Sequence, residues 1–171
     1  MEKAKEIFKE IRVYLLIIVI ALLVKTFLVA PIRVNGESMM GTLHDKDIMI
    51  LDKISYRFSP IKRFDIVVVK YKDEYLIKRV IGLPGEKVEY KNNKLYVNGK
   101  LLKENFSHMK TDDFKLDSIG NSKVPKNQYL VLGDNRVNSL DSRIIGFIKR
   151  SQISGKTSFT ILPFNRFGSK K

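Results

Sequence analysis

From Val13 to Val24 the chain reads VYLLIIVIALLV, and after Lys25 and Thr26 the apolar character resumes as FLVAPI, ending at Ile32. Together these segments make about 20 residues, which at roughly 1.5 Å per residue in a helix matches a hydrocarbon core about 30 Å thick. The pattern predicts a single membrane-spanning helix over 13–32, with Lys25 near its far end, where the ammonium can reach the interface. Lys3, Lys5, Lys9 and Arg12 precede the span. Basic residues favour the cytoplasmic side, so residues 1–12 are expected inside and 33–171 outside the cell membrane. A basic start before an apolar stretch also fits a cleavable secretory signal, but Leu28 and Pro31 around Ala30 make a poor cleavage site. The span is therefore read as a retained anchor.

Beyond it the texture changes to short extended runs: DIMILDKI, RFDIVVVKY, YLIKRVIGL, KVEYK, KLYVNGKLL, QYLVLGD, RIIGFI and KTSFTIL. Each is β-branched or aromatic and bounded by glycine, proline, asparagine or lysine, as strands are. A mainly β, antiparallel fold is predicted. LPGE, Leu83 to Glu86, signals a turn, and Asn98-Gly99 suits a tight hairpin. Residues 105–124 are polar and irregular, so about 90–124 are expected to form a small hairpin-and-loop excursion from the main sheet.

Composition narrows the choices. The 171 residues suffice for one compact unit with appendages. Without cysteine there is neither a disulfide framework nor a thiolate metal site. The net charge of +14 is spread from Lys3 to Lys171 without a base-reading motif, which favours a generally cationic surface or membrane lipid over nucleic acid.

Three segments carry candidate chemistry. GESMMGTLHD, Gly36 to Asp45, places Ser38 just beyond the span. A serine nucleophile needs a base within hydrogen-bond reach. The two histidines, His44 in a polar turn and His108 in the excursion, read as loop residues, although a triad is recognised by geometry and not by order. His44 to Asp47, HDKD, has ligand-type side chains but no second cluster, so no metal is expected. In YLIKRVIGLPG, Tyr75 to Gly85, strand alternation puts Lys78 with Leu76 and Val80, and Arg79 with Ile77 and Ile81. Lys78 is then either an aggregation-blocking edge lysine or a desolvated amine with lowered pKa, usable as a general base. In YLVLGDNRVNSLDSRIIGFI, Tyr129 to Ile148, the residues Ser139, Asp141 and Arg143 share one side if the chain is extended. They form either a surface charge pair or the support of a buried lysine. Met39 and Met40 suit either ordinary core packing or a greasy surface over the base.

Taken in order, the anchor, GESMMGTL, RFDIVVV, YLIKRVIGLPG and GDNRVNSLDSRIIG resemble the bacterial type I signal peptidases, in their compact Gram-positive form. The resemblance covers essentially the whole chain. It implies a signal-peptidase-like antiparallel β fold on one transmembrane helix, secretory preproteins as substrates and no cofactor. It further implies Ser38 as nucleophile, Lys78 as general base and Ser139 as hydrogen-bonding that lysine. Asp141 with Arg143 is the implied supporting charge pair, and Asp134 and Arg79 are structurally important. Gly36 stands where many Gram-negative members carry an oxyanion-hole serine, leaving more to the Ser38 N–H, with Gly36, Ser38 and Met39 along the substrate strand. Gly41 replaces the family's proline. If the backbone is shared, proline fits there; if glycine serves a positive φ, proline clashes. A catalytically silent homologue that binds exported chains is the alternative reading.

Overall fold

The computed structural model describes residues 2–170; within the first helix the side chains of residues 2–6, 8 and 24–27 lie outside the description, and with them the charges of Lys3, Lys5 and Lys25. That helix, α1 (Glu2–Phe27), exposes Ile11, Val13 and the residues from Tyr14 to Ile20, with Leu22 and Leu23. Among the described residues no helix is long and apolar enough to cross a membrane. The helix also stops short of the predicted span 13–32. Residues 29–33 form strand β1 (Val29–Arg33), antiparallel to β2 (Ile48–Asp52), with Val29 opposite Asp52 and Arg33 opposite Ile48. Pro31 explains the difference: it cannot donate within a helix, and it is tolerated at a sheet edge, where β1 lies.

The remaining elements are α2 (Ser55–Phe58), β3 (Ile66–Tyr71), β4 (Glu74–Gly82), β5 (Val88–Lys91), β6 (Lys94–Val97), β7 (Lys100–Leu102), β8 (Phe114–Lys115), β9 (Gln128–Leu132), α3 (Ser142–Ile145), β10 (Ile148–Lys149), β11 (Ile153–Leu162) and β12 (Gly168–Ser169). The main sheet runs β1-β2-β11-β3-β4-β9-β10, with β12 on β11, and its pairings are antiparallel. A second sheet, β7-β6-β5-β8, has its strands between Val88 and Lys115. Asn98 and Gly99 turn between β6 and β7 with φ of 51° and 78°, as the Asn-Gly pair predicts.

β3 is buried at Ile66, Val67, Val68 and Val69 because both its faces are covered. Ile66 and Val68 pack with Val34, Met39, Leu43 and Met49 on one side. Val67 and Val69 pack with Val80, Val131, Ile148 and Ile153 on the other. A third cluster joins Ile81, Leu130 and Leu132 of the main sheet to Val88, Tyr90 and Leu95 of the second.

RIIGFI is not one strand. Asp141 caps α3 by accepting from the Arg143 N–H, and only Ile148 and Lys149 pair with β9. Ser139, Asp141 and Arg143 therefore do not share one side of an extended chain. An aspartate cap at the start of a turn outweighs the β-propensity of two isoleucines.

Candidate active site

Ser38 sits in a tight turn after β1, half-buried, with Met40 N–H donating to Glu37 O (2.9 Å) and Leu43 N–H to Met39 O (2.9 Å). Two aspartates shape the approach. Asp45 accepts from Gly36 N–H at 2.8 Å, and the buried Asp47 carboxylate accepts from His44 N–H at 3.0 Å and from Arg166 at 2.6 Å. Met39 is 1% exposed within the core, so of the two readings core packing holds for it, and Met40 is half-buried.

Lys78 lies in β4, opposite Val67 of β3, and is 2% exposed. Its Nζ is 2.6 Å from Ser38 Oγ and 3.0 Å from Ile77 O. Burial lowers its pKa from 10.5 to about 8, against the opposing pull of Asp141 and Asp134. Nearly buried and bonded to a hydroxyl, this lysine is no edge-strand gatekeeper.

Arg79, next along the strand, is 1% exposed and grips Asp134 with two parallel hydrogen bonds, Nε to Oδ1 at 2.8 Å and Nη2 to Oδ2 at 2.6 Å. Thr42 Oγ1 donates to the same Asp134 Oδ2 at 2.6 Å, tying the serine turn to the loop after β9. Asp141 takes a forked pair from Arg143 at 2.9 and 2.7 Å and also accepts from Gly133 N–H at 3.0 Å. Ser139 differs from its implied role. Its Oγ is buried with no hydrogen-bond partner, Lys78 included. It is lodged instead against Gly133, where an added β-carbon would fall within 3.0 Å of both the Ser139 side chain and Ser38 O. Only glycine allows the loop, the serine turn and Ser139 to meet.

Sequence reasoning missed Asn135 and Thr42 as links between segments. Asn135 holds two consecutive carbonyls of the serine turn: its N–H donates to Ser38 O at 3.0 Å and its Nδ2 to Glu37 O at 3.2 Å. Both residues stand inside the motifs noted above, so position in a motif was the available signal. His44 is exposed, and His108 Nδ1 is engaged by Met109 O at 2.8 Å with Nε2 facing Glu104 at 3.4 Å. Neither histidine has a hydrogen bond to Ser38.

Gly41 has φ +106°, and a β-carbon there would stand 3.2 Å from Ser107 O and Oγ. Of the two possibilities at this position the positive φ is the one observed, so proline's fixed φ near −65° does not fit. Gly41→Pro is expected to lower stability by about 1–3 kcal/mol and to reduce turnover by displacing Ser38. Thermal unfolding paired with a cleavage assay checks this; a raised midpoint with full activity would contradict it.

The fold and this site are those of a peptidase class with known members. The family profile described as "Signal peptidase, peptidase S26" matches residues 7–162. The chain is 42% identical to Signal peptidase I of Bacillus amyloliquefaciens, over 90% of this chain and 87% of that relative. It is 46% identical to Signal peptidase I V of Bacillus subtilis, over 82% and 90%, and 40% identical to Signal peptidase IB of Staphylococcus aureus strain COL, over 95% and 93%. A crystal structure of a signal peptidase I from Enterococcus faecalis V583 aligns with TM-score 0.53 at 37% identity, covering 57% of this chain and 97% of that one. The chain belongs to the signal peptidase family, peptidase S26, and is a peptidase of its type I group.

Proposed function

We propose that the chain is a membrane-anchored serine endopeptidase that cleaves amino-terminal signal peptides from exported preproteins, with Ser38 as nucleophile and Lys78 as general base. The observation that carries this reading is the 2.6 Å contact between the Ser38 hydroxyl and a lysine whose pKa burial lowers to about 8. With Lys78 neutral, the hydroxyl donates its proton to Nζ as Oγ attacks the scissile carbonyl carbon. Collapse of the tetrahedral adduct breaks the C–N bond, and the Lys78 ammonium protonates the departing amine, leaving an ester on Ser38. Water then gives a proton to Nζ as its oxygen attacks the ester carbon; collapse breaks the acyl C–Oγ bond, the Lys78 ammonium returns the proton to Oγ, and the signal peptide leaves as a carboxylic acid. The Ser38 N–H has no hydrogen-bond partner among the described residues and is available to the oxyanion. Asp134 with Arg79, and Asp141 with Arg143, hold the loop that closes over this dyad.

β4 offers the substrate a place. Its pairing with β3 runs from Glu74 to Arg79, whereas β9 pairs with it only from Arg79 onward. An extended peptide can therefore add along Glu74–Lys78, beside the chain from Arg33 to Ser38, with small side chains on alternate positions. The anchor in this reading would be the apolar run carried by α1, although the described residues of that helix alone are not long and apolar enough to cross, with the amino terminus cytoplasmic and the sheets outside. Its support is the run of exposed apolar side chains from Val13 to Leu23, with the exposed Lys9 and Arg12 before it.

Incubation of the purified full chain with a secretory preprotein, alongside Ser38→Ala, tests the function: cleavage by the parent and none by the variant is expected, and cleavage by both excludes Ser38 as nucleophile. The pH dependence follows from Lys78. Its neutral form is the active one, so kcat/KM is expected to rise through about pH 8 and to fall about tenfold per pH unit well below it. A pH series with one preprotein measures this; a maximum near pH 5 contradicts a lysine base.

A further inference from the structure

We infer that Glu104, on the segment leaving the second sheet, is a positioning residue for the dyad, acting through Arg136 to hold the loop Gly133–Asn135 against the serine turn. Arg136 is fully buried, its side chain 0% exposed, and every polar nitrogen is used. Nε donates to Gly133 O at 3.1 Å, Nη1 to Thr111 Oγ1 at 2.6 Å and Nη2 to Glu104 Oε1 at 2.6 Å. Glu104, 5% exposed, is the carboxylate in contact with this guanidinium. The same Oε1 accepts from Tyr90 OH at 2.7 Å, and the Tyr90 ring lies under the guanidinium at 5.0 Å.

The connection to the dyad is short. Arg136 fixes the carbonyl of Gly133, the residue wedged between Ser139 and Ser38 O. Two residues further on, the Asn135 N–H bonds to Ser38 O itself. The same segment is sewn to the loop again by Met109 N–H to Asp134 O at 2.9 Å, and Phe106 stacks at 3.9 Å on the Arg79 guanidinium. The second sheet and its β7–β8 connection thus do more than extend the core: Tyr90 of β5, with Glu104 and Thr111 of the connection, forms the socket for the arginine that sets the loop. A buried guanidinium that loses its carboxylate is strongly disfavoured and moves toward other partners or water. Gly133 O would move with it.

This inference rests on the peptidase reading for its kinetic consequence, but not for its structural one. Glu104→Gln keeps volume and one acceptor while removing the charge. In the full-length chain, assayed well below each variant's Tm, it is expected to lower kcat about tenfold with KM within about twofold. Combining it with Arg136→Met is expected to reduce kcat no more than twofold below Arg136→Met alone, because the carboxylate acts through the guanidinium. Should Arg136→Met fail to fold, Arg136→Lys, which keeps the charge but loses the fork, takes its place in the cycle. Independently of turnover, the Asn135 amide is expected to exchange with solvent at least tenfold faster in Glu104→Gln, while amides of β3 keep their protection. Unchanged kcat and unchanged Asn135 exchange, or multiplying effects in the double variant, would overturn the inference. An inactive parent would instead defeat the peptidase reading, and the exchange measurement would still judge Glu104.

Discussion

Lys78→Met is expected to abolish cleavage while making the protein more stable. Turnover should fall by at least about 10³-fold, roughly 4 kcal/mol of barrier, because among the described residues no other base touches the Ser38 hydroxyl. Stability moves the other way. In the folded protein the Lys78 pKa is lowered to about 8 by burial, whereas unfolding returns it to its ordinary 10.5. Between those values the unfolded chain binds more protons, so this residue's contribution to stability rises with pH from about 8 to 10.5. Below pH 8 the folded protein carries the full cost of the buried amine, on the order of 3 kcal/mol. Methionine, of similar length and apolar, removes that cost. Chemical denaturation at pH 7 and at pH 10 checks the claim: the advantage of the variant should be largest at pH 7 and shrink by pH 10. Lys78→Arg should be inactive as well, since a guanidinium stays charged. Substantial turnover in either variant would remove Lys78 from its role.

The second large effect falls on stability. Asp134→Ala removes the carboxylate that takes two hydrogen bonds from the buried Arg79 and a third from Thr42. Breaking a buried ion pair from one side costs about 3–5 kcal/mol, a large part of the 5–15 kcal/mol that holds a typical domain together. Urea unfolding should show this loss. Cleavage should fall further than the folded fraction, because Thr42 also loses its link between the serine turn and the loop. Equal stability of Asp134→Ala and parent would show that the Arg79 cluster is not the strut described here.

The legibility of the sequence varied with how local the governing forces are. β3 and β4 were readable because a strand covered on both faces must be apolar along its length, and IVVV is. The same logic isolated Lys78 as a cation among apolar neighbours, and its amine does lie beside Ser38. Three features were misread. Residues 29–32 looked like the end of the span because they are apolar, yet Pro31 and pairing with β2 make them a strand. RIIGFI looked extended, yet the Asp141 cap winds its first half into a turn. Ser139 carries no bond to Lys78; its side chain packs against Gly133 and its Oγ is buried without a partner. Glu104 left no sign in the sequence at all: its partner Arg136 is 32 positions away, and nothing near a lone glutamate announces which arginine it will meet.

If the proposed substrate strand adds to β4, the half-open border of that strand would set where a bound chain is cut. A peptide laid along Glu74–Lys78 would run out of unpaired border at Arg79, where Leu132 of β9 already occupies the ladder. It can slide along the border only in two-residue steps if its side chains are to keep facing the same way. Beyond Lys78 such a peptide would leave the sheet, and it would do so beside the Lys78 amine and the Ser38 hydroxyl that it contacts. Cleavage position would then be a matter of backbone bookkeeping, with β9 as the end stop. On the same reading the residues that follow the cut would lie outside the ladder, so the sheet itself would place no demand on how the exported product begins.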